Sequence, residues 1–104
     1  MLQFLLDTDH LTLYDYGHVL VTQRVAAHLP DEVGVSAVSI EESLRGRLAY
    51  LARAKDGPER IQRYGFLLQT VVLLCGMPHI PFDQASETQY QHLLTLKLRI
   101  GTQI

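Results

Sequence analysis

The sequence predicts an α/β fold in which helices flank a parallel sheet. Three observations carry that prediction. Leu2-Gln3-Phe4-Leu5-Leu6 is a short apolar run with no polar alternation, which reads as a strand buried on both faces. Val33 to Val38 and His79 to Phe82 read as two further short strands. The segments between them have helical spacing, and helices between strands place the strands parallel.

The elements follow in order. The first strand ends in Asp7-Thr8-Asp9, and His10 to Tyr16 reads as a short helix closed by Gly17. Val19 to Leu29 carries Val21, Val25 and Leu29 at intervals of four, and Pro30 ends it. After the second strand, Ser39 opens a helix with an expected apolar face of Leu44, Leu48, Leu51 and Ala52. Asp56-Gly57-Pro58 breaks the chain and begins another helix, with proline in its first turn. Its expected buried stripe is Ile61, Tyr64, Leu68, Val71, Val72 and Cys75. The prolines around His79-Ile80-Pro81-Phe82 put the third strand at an edge. Asp83 reads as the N-cap of a last helix from Gln84 to about Leu98, with Tyr90, Leu93, Leu94 and Leu98 available for packing.

Composition narrows the function classes. With 104 residues the chain fits a single domain. Its 47% hydrophobic and 19% charged residues suit a folded domain rather than a disordered tail. A net charge of -2 supplies no bulk attraction to nucleic acid, so such binding needs a local patch. One cysteine, Cys75, leaves no internal disulfide and no cysteine-based zinc site, and is expected in the core. No apolar run approaches the roughly 20 residues that span a bilayer. No basic region precedes the first apolar run, so no secretory signal is read, and a cytoplasmic protein without membrane contact is expected. The five histidines lack zinc-motif spacing and read as surface residues, with His10 nearest the strand end.

The chemistry-bearing residues are acids. Asp7 and Asp9 stand at the carboxyl end of the first strand, the rim where open α/β sheets bind ligands. Carboxylates there suit a hard cation such as Mg²⁺ or Mn²⁺. Ser39-Ile40-Glu41-Glu42 follows the second strand, and Glu42 would point into the same cleft if the two strands are neighbours. Each acid has a plainer role as well. Asp7 could cap the turn that follows, Asp9 reads as an N-cap, and Ser39 with Glu42 fits a capping box. Thr8 could bond a phosphate, a water or only its own turn. Arg45, Arg47, Arg53, Lys55, Arg60 and Arg63 concentrate positive charge for RNA phosphates or an acidic partner, although Asp56 and Glu59 also make this a solvated helix surface.

The chain resembles the PIN domain family, in particular the VapC-like ribonuclease toxins of toxin–antitoxin pairs. The resemblance rests on Leu5-Leu6-Asp7-Thr8-Asp9, Val38 through Gly46, Ile80-Pro81-Phe82-Asp83, and Leu98 through Gln103, in that order along nearly the whole chain. It implies a three-layer fold. It also implies a Mg²⁺- or Mn²⁺-dependent endoribonuclease with Asp7 and Glu42 as metal-holding catalytic acids. Thr8 and Asp9 would stand close behind them, and Arg45 and Arg47 would contact RNA or a partner. The helices between the second and third strands would form an antitoxin groove and a dimer surface, with Tyr50, Tyr64, Phe66 and Leu67 as apolar contacts. One departure matters. The family's third acid would fall at Ile104, and its later strands and fourth acid are not present. The expectation is therefore a PIN-like domain incomplete at its C-terminus, impaired as an enzyme. The alternative is a non-catalytic fragment that dimerises or binds an antitoxin.

Overall fold

The computed structural model describes the backbone of residues 2–103 and the side chains of residues 2–95. The architecture is mixed α/β. Strands β1 (Phe4–Leu5), β2 (Val33–Ser36) and β3 (His79–Ile80) form a parallel sheet in the order β1-β2-β3. Helices α1 (Thr8–Asp15) and α2 (Val19–Ala26), then a 3-10 turn at Pro30–Glu32, connect β1 to β2. Helices α3 (Ala37–Ala52) and α4 (Gly57–Cys75) connect β2 to β3, and α5 (Gln84–Gln103) follows. The parallel sense agrees with the sequence pattern, β1 and β2 are neighbours, and β3 lies at an edge as its prolines suggest.

Register is fixed by close approach as well as by pattern. Phe4 pairs with Val33 and Leu5 with Gly34, while Val35 pairs with His79 and Ser36 with Ile80. A β-carbon on Gly34 would stand 2.6 Å from the Pro78 carbonyl oxygen and 2.8 Å from Leu2 Cδ1. Only glycine lets that backbone pass.

Helix ends are set by local chemistry. Asp7, not Asp9, caps α1, which moves the expected start of that helix forward to Thr8. Its other end is a Schellman motif around Gly17 (φ 76°): Gly17 N–H donates to the Tyr14 carbonyl and His18 N–H to that of Leu13. Ser36, not Ser39, caps α3, so β2 ends two residues earlier than its apolar run suggests. Asp56 caps α4 by accepting from Glu59 N–H at 2.8 Å. Asp83 caps α5 as expected.

The apolar core is small. Leu11 of α1, Val35 of β2 and Leu74 of α4 are its centre, with Leu6, Ile40, Leu44, Leu73 and Met77 packed around them. The face expected to bury α4 is corrected by the structure. Ile61 is 76% exposed, Leu68 64% and Val72 64%, and Tyr64, Val71 and Cys75 are exposed too. The side that α4 buries carries Thr70 and Leu74 instead. Helix α3 departs in the same way: Leu48 is exposed, and the buried row is Ser39, Ser43 and Arg47. Tyr90, Leu93 and Leu94 of α5 are exposed rather than packed, and Leu98 lies outside the described side chains.

A polar knot explains which faces turn inward. Thr70 Oγ1 donates to Asp15 Oδ2 at 2.5 Å, and Arg47 Nε donates to Thr70 Oγ1 at 3.3 Å. Arg47 Nη2 stands 3.7 Å from Asp15 Oδ2. Gln69 donates to both the backbone and the side-chain oxygen of Asp15. Tyr16 and Phe66 stack at 4.9 Å, and the Arg47 guanidinium lies 4.4 Å from the Phe66 ring centre. Asp15 of α1, Arg47 of α3 and Thr70 of α4 thus meet in a buried group, in which Arg47 Nη2 is held by charge attraction to Asp15 without a hydrogen bond. Removing one partner leaves an uncompensated charge, which costs about 3–5 kcal/mol in such settings. Asp15→Ala should therefore lower the unfolding free energy by about 3 kcal/mol. Leu68→Ala, on the exposed face, should change it by less than about 0.5 kcal/mol. Urea titration of the two variants reads the difference, and equal losses would contradict the knot.

Candidate functional site at the carboxyl rim of the sheet

Three helices start at one rim. The N-caps of α1, α3 and α5 are Asp7, Ser36 and Asp83; Ser36 is the last residue of β2, and Asp7 and Asp83 follow the carboxyl ends of β1 and β3. The partial positive ends of these helices therefore face the same edge of the sheet, which favours anionic groups there.

Asp7 reaches its place because Leu6 N–H donates to the Gly34 carbonyl at 3.0 Å, which keeps β1 beside β2 up to the residue before it. Its Oδ1 accepts from the His10 backbone N–H at 2.8 Å and lies 2.8 Å from His10 Nδ1. The carboxyl is held below its ordinary value near 3.8, chiefly by the backbone bond from His10 and then by the His10 ring. Oδ2 takes no part in these bonds. The side chain is 67% exposed, and it borders a groove lined by Phe4, Leu5, His10, Arg24 and His28.

Glu42 lies in the second turn of α3. It is exposed and makes no hydrogen bond or ion pair among the described residues. Ser36 has taken the cap that Ser39 was expected to provide, so Glu42 is not held in a capping box. It lines an open cleft of about 660 Å³ with Glu41, Arg45, Phe82 and Tyr90. Asp7 follows β1 and Glu42 lies on the helix that follows the neighbouring strand β2, and the two border separate openings. Among the described residues, no group of three or more His, Cys, Asp or Glu side chains is placed to hold a metal ion. Two exposed carboxylates with free oxygens do match the donor chemistry of Mg²⁺, which keeps several waters and needs only one or two carboxylates.

The other expected residues divide. Thr8 and Asp9 lie in the first turn of α1, behind the cap, and the Thr8 carbonyl accepts from Thr12 Oγ1. Arg45 is exposed and pairs with Glu41 at 2.6 Å. Arg47, expected on a contact surface for RNA or a partner, is buried in the Asp15 knot and presents no charge outward. Arg63 is also engaged: it donates to the Tyr50 carbonyl at 2.8 Å and covers the Tyr50 ring. The basic stretch is therefore no continuous patch. Leu98 through Gln103 lies where only the backbone is described, and Ile104 lies outside the described residues.

Sequence reasoning missed Asp15. One local signal marks it: an acid in the last turn of a helix opposes the helix dipole, so it needs a compensating cation. Nothing local identifies that cation as Arg47.

No protein-family model, no curated protein and no solved structure matches the chain.

The cap makes a pH prediction. The folded-state pKa of Asp7 is depressed, so its contribution is complete above the ordinary value and is lost as pH falls through the lowered one. Asp7→Asn keeps a capping oxygen but has no charge to lose. Its stability should fall less steeply than that of the parent between about pH 5 and about pH 2. Urea midpoints across that range check this, and parallel slopes would contradict it.

Proposed function

We propose that the chain is a PIN-like domain related to the VapC-type toxins, a metal-dependent endoribonuclease whose acids are Asp7 and Glu42. One observation carries the reading. Asp7 lies just beyond the carboxyl end of β1, and Glu42 lies in the second turn of the helix that follows the adjacent parallel strand β2, at the rim where three helices begin. Carboxylates for a hard cation and helix ends for phosphate are the two requirements of phosphodiester hydrolysis. In this reading Asp7 Oδ2 and the Glu42 carboxylate would hold Mg²⁺ or Mn²⁺ against RNA. The bound ion supplies activation of water and charge neutralisation. Asp7 contributes through an oxygen left over from its capping role, and Arg45 meets a phosphate. The three-layer PIN arrangement, a cytoplasmic site of action and an antitoxin partner belong to the same proposal. No described helix is long and apolar enough to cross a membrane.

The test is cleavage of a long single-stranded RNA with Mg²⁺ or with Mn²⁺, beside Asp7→Asn and Glu42→Gln. Each substitution should lower the rate at least about a hundredfold, as loss of a metal-holding group does. Full activity in either variant, or none in the parent, would remove the nuclease reading.

A second reading is favoured by a different observation. Ile61, Tyr64, Leu68 and Val72 leave an apolar stripe exposed along α4, and β1 is unpaired on its outer edge among the described residues. Exposed stripes of this kind mark interaction surfaces. In this reading the domain is a non-catalytic module that dimerises or binds an antitoxin. The parent should then elute as a dimer in size-exclusion chromatography with light scattering, and Leu68→Glu as a monomer with an unchanged circular dichroism spectrum. A monomeric parent would exclude the homodimer.

A further inference from the structure

We propose that Phe82 and Tyr90 form a stacking platform for one unpaired nucleobase of single-stranded RNA, seated beside Glu42 and Arg45. The nature of the ligand rests on the nuclease reading; the site itself rests on the cleft between α3 and α5.

Three features make this a built site. The two rings meet edge to face, with centres 6.2 Å apart and planes at 80°. Both residues line the cleft and are partly exposed, Phe82 by 43% and Tyr90 by 50%. Rings of this size are normally hidden, and a face presented to a cleft is what an unstacked base requires. The second feature is anchoring. Phe82 follows β3, and the next residue, Asp83, caps α5 by accepting from both the N–H and the Oγ–H of Ser86. Tyr90 stands in the second turn of α5, so one ring lies just before the capped helix end and the other on the helix itself. The third is size. About 660 Å³ lies within the range of sites that take a small ligand such as a nucleotide.

The charges around the cleft select among bases. The Arg45–Glu41 pair is exposed at both ends, 70% and 61%, so its internal attraction is weak. Its guanidinium can turn to a phosphate, which it binds through two parallel hydrogen bonds, at little cost. The released Glu41 carboxylate, with Glu42 beside it, accepts hydrogen bonds only. Guanine offers adjacent imino and amino donors on its pairing edge and matches a carboxylate. Uracil offers only one imino donor there, flanked by two carbonyls, and matches a carboxylate less well. The platform therefore favours guanine-bearing single strands.

The experiment is fluorescence anisotropy with end-labelled RNA in EDTA, so that no divalent ion is present. One strand is a short run of uridines carrying a single guanosine, and the other is uridine alone. The intact chain should bind the guanosine strand more tightly. Phe82→Ala should weaken that binding about tenfold, as should Tyr90→Leu, which keeps apolar bulk but has no π-face. Tyr90→Phe should retain it. Thermal melts of each variant separate a lost platform from a lost fold, because unfolding would abolish binding of both strands together. Equal affinity of parent and Tyr90→Leu, or no preference between the strands, would overturn the platform. Metal-dependent cleavage is scored separately. Cleavage by Tyr90→Leu at the parental rate counts against the platform and leaves the nuclease reading standing. Guanosine-dependent, ring-dependent binding by a parent that does not cleave supports the platform and removes the nuclease.

Discussion

The structure depends on the buried contact among Asp15, Arg47 and Thr70. The apolar core is too small to orient three helices alone, with only Leu11, Val35 and Leu74 clustered at its centre among the described residues. The knot supplies what that cluster lacks, which is direction. Hydrophobic contact is tolerant of rotation, whereas a carboxylate, a guanidinium and a hydroxyl satisfy one another in few arrangements. Two aromatic rings then close over the arginine and keep water away. Such a group adds little net stability over an apolar replacement of equal volume, but it penalises every arrangement that separates its members.

That constraint reaches the rim. Asp7 and Asp15 are at opposite ends of α1, and Glu42 and Arg47 are on the same helix, α3. Locking Asp15 to Arg47 therefore fixes how α1 and α3 cross, and with it the positions from which Asp7 and Glu42 emerge. Helix α3 is divided by this arrangement. Its Ser39, Ser43 and Arg47 row faces inward, while Glu41, Glu42 and Arg45 face the cleft. A helix with polar residues on both sides cannot be assigned an inward face from periodicity alone.

This is why the sequence was legible in some places and not in others. Parallel pairing, the edge position of β3, the cap at Asp83 and the proline in the first turn of α4 were all readable from pattern and local chemistry, whereas the neighbouring of β1 and β2 was not. The inward faces of α3 and α4 were not. Ile61, Tyr64, Leu68 and Val72 have a helical period, but period identifies a stripe without saying what covers it. Arg47 decided against that stripe, since burying an arginine demands Asp15 and Thr70 beside it. Cys75 followed its helix outward. Of the rim, Asp7 at the strand end was legible. Its rivalry with Asp9 for the cap was not, because both are good caps two positions apart. Ser36 and Ser39 posed the same ambiguity, and Ser36 took the role because Val35 is the last residue of β2 that is buried completely.

The capping role of Asp7 is compatible with a role toward a cation, and the reason is geometric. A cap uses one carboxylate oxygen and pulls the group toward the helix axis, here through Oδ1 and the His10 N–H. The second oxygen takes no part in the cap. The same bond favours the ionised form, which is the form a hard cation requires. Glu42 has the opposite character. With Ser36 holding the helix end, its carboxylate has no structural duty and keeps its rotamer freedom. Binding an ion between the two would recruit a preset ligand and order a mobile one. Most of the conformational cost would then fall on Glu42, in the same cleft as Phe82 and Tyr90.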